Sequence, residues 1–398
     1  MEITDVSKIP QDLKMYGGMS CKKIAIVIDG IRYLMKFPGN LKSRNMKNIV
    51  LSYSNGPVCE YIGSHIYDLL GIPVHETVLA KRNQKLVVLC KDFVGKGQEL
   101  FEFSKIKVSF EPVLINSDGE ETDGQGSDLS ETLLVLNHHP VFKGLQNVLD
   151  RFWDIFIVDA FIGNPDRNNG NWGVISDGDK VTMAPVYDNG NCLNDKWDED
   201  KMKYFLSDKS LFEAEAYKGK VCYYTGKNGK KINPFNLIAS GKYTGCTKAL
   251  ERIVSKIELG QIFRMIEEIP VLTDIQVCYY EEILKARAGY LADLSAKVSG
   301  KNYKVTAIVK NALKGNKKLT KLTIGANVKK IGANAFKGCS KLKNIVVKTK
   351  KLTKSKVGSN AFKGINAKAT IKVPKAKVKA YKKIVKAKGA GKNVKVKK

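Results

Sequence analysis

Three polar side chains between Phe161 and Gly190 have the types and the spacing to hold a divalent cation and take up a proton. They are Asp166, Asn171 and Asp188, in the stretch FIGNPDRNNGNWGVISDGDKVTMAPVYDNG. Two carboxylates and an amide offer only oxygen ligands, which suit Mg²⁺ better than zinc. Two short apolar runs, Trp172 to Ile175 and Val181 to Val186, are joined by the turn SDGD (Ser176 to Asp179), which predicts a hairpin. A hairpin brings Asp188 back beside the Asp166–Asn171 loop, so the three groups can converge on one point.

Phosphoryl transfer to a hydroxyl needs this order of parts. One Asp accepts the proton of the incoming hydroxyl, an Asn five residues later holds a metal, and a second Asp about twenty residues on bridges the metal to the nucleotide phosphates. The segments IGNPDRNNGNWG and APVYDNG resemble those of the HipA-like atypical serine/threonine kinases, including their stand-alone CtkA-type relatives. The resemblance implies a catalytic base at Asp166, metal ligands at Asn171 and Asp188, ATP and Mg²⁺ as cofactors, and a protein substrate with a Ser or Thr acceptor. Many relatives carry His after the Asp-Arg pair, where this chain has Asn168.

Elements upstream are placed to serve such a site. Tyr16 to Ser20, YGGMS, is a Gly-bearing turn ahead of the strand Ile24 to Asp29, and Asp29–Gly30 turns the chain into a second strand, Ile31 to Phe37. A turn of this kind can lay backbone N–H groups over phosphates, and the resemblance puts the nucleotide-covering loop at Gly17, Gly18 and Lys22. Some family members autophosphorylate a serine here. This chain reads LKMY in the corresponding stretch, with Ser20 the hydroxyl at the turn besides Tyr16. Lys36 ends the second strand, and Glu60 lies in the first turn of a helix predicted from Gly56 to Gly71 with Pro57 near its start. A kinase pairs such a lysine, which contacts the α- and β-phosphates, with a helix glutamate. Ile72 to Leu79 and Leu86 to Cys90 read as two more strands. Lys91, Asp92 and Phe93 follow, at the hinge position where adenine is bonded by backbone.

Further along, SDGEETDGQGSDLSE (Ser117 to Glu131) holds six acids and reads as a mobile loop. His138 and His139 read as a pair at a helix start and not as a zinc site. Leu145 to Phe161 is apolar on nearly every side, the mark of a central buried helix; Asp159 within it is a buried acid that orients the loop or makes a structural hydrogen bond. Two amphipathic helices, Thr247 to Glu268 and Thr273 to Val298, are expected to close the body at Gly300.

Composition then changes abruptly. The formal charge of the whole chain is +29, yet residues 301–398 contain 31 Lys and no Arg, Asp or Glu, which leaves −2 for the first 300 residues. The unit N-A-(L/F)-K-G recurs at Asn311, Asn334 and Asn360, spacings of 23 and 26 residues that fit leucine-rich repeats. NAFKGCSKLKNI is similar to the BspA-type repeats of many bacterial proteins. A ladder whose every charge is positive should prefer an acidic protein or a polyanion, with salt-sensitive affinity. The missing arginines argue against base-specific DNA reading but leave nonspecific nucleic acid as a partner.

The eight cysteines are scattered without CxxC pairs, which fits thiols in a reducing compartment. No apolar run reaches membrane-span length, and the N-terminus lacks a secretory pattern. The expectation is a cytoplasmic protein, with signal-independent export or delivery to a host left open. The expected fold is α+β: a two-lobed protein-kinase-like fold, with a small β-rich N-lobe (1–93) and a mainly helical C-lobe (94–300), then a short β-rich leucine-rich-repeat module (301–398). The expected function is an ATP- and Mg-dependent Ser/Thr protein kinase that also autophosphorylates. The alternative is a non-catalytic protein that holds an acidic partner or polyanion on the Lys-rich repeats.

Overall fold

A computed structural model of the chain describes residues 2–17, 21–42, 51–115, 119–226, 229–298, 307–308 and 312–398. The chain separates into two compact units, Met1–Gly300 and Lys301–Lys398. Gly18, Ser20 and Asn311 lie outside the described residues.

In the first unit, β1 (Lys23–Ile28) and β2 (Ile31–Lys36) form an antiparallel hairpin. Its two turn residues, Asp29 and Gly30, both take positive φ (50° and 76°), as the twist of a two-residue hairpin demands. Helix α1 (Gly56–Leu69) follows, with Pro57 in its first turn, where a missing N–H costs nothing. β3 (Thr77–Arg82) and β4 (Lys85–Lys91) complete a six-stranded sheet in which β3, β4, β2 and β1 are consecutive, flanked by the two-residue strands Thr4–Asp5 and Gln11–Asp12.

Strand alternation divides this sheet between two cores. Ile24, Ile26, Met35, Val87 and Leu89 pack on one face. Leu79, Val88 and Cys90 face the other way, against Cys59, Ile62 and Ile66 of α1. Each fully buried side chain of this size contributes about 1.5–3 kcal/mol. Because Met35 belongs to the first face, Lys36 falls on the α1 face.

β5 (Glu99–Glu102) leads into α2 (Phe103–Val108) and pairs with β6 (Gly173–Ser176), which also pairs with β7 (Val181–Met183). Between them, α3 (Leu129–His138) precedes α4 (Val148–Ile162), whose residues Phe156, Ile157, Val158, Phe161 and Ile162 are all buried. α4 packs on α5 (Thr244–Val254) and α7 (Asp274–Val298), with α6 (Leu259–Glu267) between those two in sequence. Gly163 caps α4 at φ 71°, and an added Cβ there would lie 2.4 Å from Nη1 of the buried Arg287.

Several boundaries differ from the sequence expectation. The strand expected over Ile72–Leu79 starts at Thr77, because Pro73 and His75 exchange backbone bonds with Val186 instead. The single helix expected over Thr247–Glu268 is two, α5 and α6. The acidic stretch is folded beyond residue 120: Glu121–Thr122 pairs with Leu114–Ile115, Asp128 caps α3, and Glu131 is buried against Lys107 at 2.6 Å. His139 caps a short helical turn by accepting from Val141 N–H, the helix-start role expected of it.

The second unit is a parallel ladder of β8 (Lys321–Ile324), β9 (Asn344–Val347), β10 (Thr370–Lys372) and β11 (Lys395–Lys397). Lys321, Asn344, Thr370 and Lys395 stand in register, at repeats of 23, 26 and 25 residues. Phe336, Phe362, Leu342, Ile345 and Ile371 fill its core. Asn334 and Asn360 take left-handed φ of 57° and 54°, a conformation asparagine tolerates, which explains why the repeat motif opens on that residue. The fourth unit escaped the sequence motif because α8 (Val378–Ala387) takes the place of the N-A-F-K-G turn. Among the described residues, no helix is long and apolar enough to cross a membrane.

Candidate active site

The side chain of Lys36, 8 % exposed, sits between two carboxylates that are far apart in sequence. Its Nζ lies 2.7 Å from Oε2 of Glu60 on α1 and 2.9 Å from Oδ1 of Asp188. The other Glu60 oxygen accepts from the Asn189 backbone N–H at 2.8 Å and lies 3.0 Å from His75 Nε2. Glu60 therefore ties α1 to the 188–189 loop as well as holding Lys36. Burial pushes the Glu60 carboxyl up, but Lys36 and His75 overcome this and leave it well below the usual carboxylate range. Asp188 is likewise pushed up by burial and pulled below its ordinary value by Lys36. Lys36 loses by burial and gains more from the two acids, so it stays an ammonium.

Asp188 adopts φ 59°, a left-handed backbone uncommon outside glycine and concentrated at functional sites. Arg167 helps to fix that loop. Its guanidinium is buried, donates to Asp159 at 2.9 and 3.0 Å and to the Asn189 Oδ1 at 2.6 Å, and also reaches the backbone carbonyls of Asn171 and Tyr187. One cation thus joins α4, the 166–171 loop and the end of the β7 arm.

Within that loop, Asp166 accepts from Asn191 Nδ2 at 2.8 Å and from Asn168 Nδ2 at 3.1 Å. Asn171 donates through Nδ2 to the Asp166 carbonyl at 2.7 Å, which fixes its amide and turns Oδ1 away from that bond. Asp166, Asn171, Asp188 and Lys36 all line one cleft of about 690 Å³. The oxygen donors gathered there, beside a lysine already able to pair with anions, fit a magnesium-bound triphosphate in chemistry.

The same cleft is lined by Gly17, Lys91, Asp92 and Phe93. Lys91 points its ammonium at Glu76 and not inward. The Asp92 carboxylate is taken by Lys14 at 2.6 Å and Tyr16 at 2.8 Å, so the segment before Gly17 is strapped to the hinge. The N–H groups of Lys91, Asp92 and Val94 bond Glu76 O, Arg32 O and the Asp92 side chain. Phe93 N–H has no protein acceptor among the described residues. Lys22 is not brought in: its ammonium lies over the Phe37 ring at 5.1 Å. Lys23, directly opposite Lys36 in the hairpin register, lines the cleft in its place and donates to the Gly17 carbonyl.

Glu60, His75 and Cys90 also cluster within 4.8 Å. In that trio both glutamate oxygens are already engaged, one by the Lys36 ammonium and the other by the Asn189 N–H and His75.

Over 285 residues the chain is 30 % identical to the serine/threonine-protein kinase CtkA of Helicobacter pylori (strain J99 / ATCC 700824), covering 71 % of this chain and 84 % of that one. The chain belongs to the CtkA family of serine/threonine-protein kinases. A crystal structure of the H. pylori proinflammatory kinase CtkA matches with a TM-score of 0.67 at 26 % identity, over 76 % of this chain and 100 % of that one. HipA, from a toxin–antitoxin system of Shewanella oneidensis MR-1, matches at a TM-score of 0.38 and 12 % identity, over 72 % and 67 % of the two chains. Residues 298–385 match the BspA type leucine rich repeat region (6 copies). The protein is thus an atypical, CtkA-type kinase body followed by a BspA-type ladder.

Two residues escaped the sequence reading: Lys23, which lines the cleft, and Arg167, which braces the 166–171 loop from beneath it. Lys23 was legible from the two-residue turn, which sets its register against Lys36. Arg167 was named only as part of a motif, although an arginine eight residues after an acid on the apolar helix invites that pairing.

Proposed function

We propose that the body, with a small lobe at 1–93 and a larger one at 94–300, transfers the γ-phosphoryl group of ATP to Ser or Thr hydroxyls of proteins, including its own chain. The observation that carries this reading is Lys36 Nζ bonded at once to Glu60 and Asp188. That junction lets one ammonium reach nucleotide phosphates while the adjacent carboxylate faces a metal. Asn171 and Asp188 would hold Mg²⁺, which when bound neutralises charge on the phosphate oxygens.

The remaining roles belong to the chain. Asp166 takes the proton of the acceptor hydroxyl, and Asn191 and Asn168 keep its carboxylate aimed. Lys36 and Lys23 bind the phosphates, with Gly17 and Gly18 in the covering loop. The Phe93 N–H and the Lys91 carbonyl read the adenine edge, while Asp92 positions the strap through Lys14 and Tyr16. The 301–398 ladder is a binding module whose positive charge selects an anionic partner.

The test is transfer of label from γ-labelled ATP with Mg²⁺ to the protein itself and to a generic basic acceptor. Asp166→Ala should abolish labelling with the thermal unfolding transition in place, and Asp188→Ala should abolish it in a protein that still unfolds cooperatively, though at a lower temperature because Lys36 loses one of its two acids. Label that persists in both variants rejects the site.

A further inference from the structure

We infer that the repeat ladder is a sequence-blind binder of duplex DNA, an inference that rests on reading the ladder as a binding module. No described lysine of the ladder is buried, and no acid exists anywhere in residues 301–398 to pair with one. The lysines do not share a single face. Lys372 and Lys397 stand opposite one another on neighbouring strands. Lys337 and Lys363 sit in the stacked turns, whose backbones bond repeat to repeat. Lys382 and Lys386 are exposed on α8. Like charges that no acid of the ladder offsets make its surface a strongly positive field that favours an external anion.

What the ladder lacks selects among anions. Protein interfaces are anchored by exposed aromatic and large aliphatic side chains, and every exposed large hydrophobic described in this chain lies outside the ladder. Phe336, Phe362 and Tyr381 are all buried, so no aromatic ring among the described residues of the ladder is offered for stacking on unpaired bases. With no arginine, the planar guanidinium fork that reads guanine bidentately is absent as well. Lysine on several faces, without anchors or base readers, matches a phosphate backbone of high charge density, which binds by releasing counterions.

The experiment uses the full chain and fluorescently labelled 20-base-pair duplexes of two unrelated sequences, titrated by anisotropy at several salt concentrations. Poly-glutamate serves as a protein-like anion. The expected result is equal affinity for both duplexes, a slope of log K on log salt steeper than about −4, and weaker poly-glutamate binding. Replacing Lys337, Lys363, Lys372 and Lys397 together by Gln should flatten the slope by about 2, because a duplex on one face meets the strand pair or the turn pair, and weaken binding at least tenfold, with autophosphorylation unchanged. Sequence preference, a slope shallower than about −2, or no effect of the four substitutions overturns the inference. Poly-glutamate bound in preference to DNA overturns it too, but leaves the anionic-partner reading standing; failure to bind either anion removes both.

Discussion

Arg167 grips Asp159 at two points, Nε to Oδ2 at 2.9 Å and Nη2 to Oδ1 at 3.0 Å, with both side chains buried. Asp159 also accepts from Tyr67 on α1 at 2.8 Å, so the pair joins the helix carrying Glu60 to the loop carrying Asp166. Removing one partner strands a buried charge. Arg167→Met is expected to cost about 3–5 kcal/mol in denaturant unfolding. Arg167→Lys should keep more stability but lose kcat, because an ammonium cannot hold Asp159, Asn189 and two carbonyls together. A lysine variant with unaltered kcat would show that this junction does not position the loop.

Acid sensitivity follows from Glu60 and Asp188, whose carboxyls are depressed in the folded state. Their stabilisation is complete above the unfolded carboxylate values of about 4 and is lost as pH falls through the lower folded values. Wild-type stability should therefore fall as pH drops below about 5, and Glu60→Gln, less stable at neutral pH, should show a shallower acid limb. Urea midpoints measured between pH 7 and pH 3 check this; parallel curves would contradict the assignment.

Metal use can be separated from folding at Asn171. Asn171→Ala should leave the melting temperature within a few degrees yet raise the Mg²⁺ concentration for half-maximal labelling roughly 10- to 100-fold. Chelation with EDTA should stop labelling in the wild type. An unchanged Mg²⁺ requirement in the variant would remove Asn171 from the metal site.

Gly163 combines a left-handed φ of 71° with the Arg287 guanidinium directly over it. Gly163→Ala meets both the backbone strain and a contact of 2.4 Å, and is expected to destabilise by at least about 2 kcal/mol. Chemical denaturation reads this directly. A loss under 0.5 kcal/mol, on the order of an ordinary surface change, would mean that Arg287 packs elsewhere.

Much of the architecture is written in local chemistry. The Asp29–Gly30 turn fixes the β1–β2 register and with it the juxtaposition of Lys23 and Lys36. The all-round apolar pattern of α4 marks a central helix. Elsewhere, tertiary contacts override local signals. Ile72 to Glu76 has strand-like composition but is claimed by Val186, and the acids around Glu131 look solvated until Lys107, from a distant helix, pairs with one of them. Lys22 and Lys23 are adjacent and chemically alike; only the face assigned by strand alternation tells which enters the cleft. In the ladder, the motif reveals the repeats that keep N-A-F-K-G and is silent where α8 replaces it.

Among the described residues β11 has a neighbouring strand on one side only, and it carries Lys395 and Lys397. An open strand margin is a template on which further strands can grow into aggregates, and lysine is a common guard against that growth. The guard here is electrostatic, so it weakens as ions accumulate: concentrated stocks should stay dispersed in dilute buffer and begin to self-associate at high ionic strength.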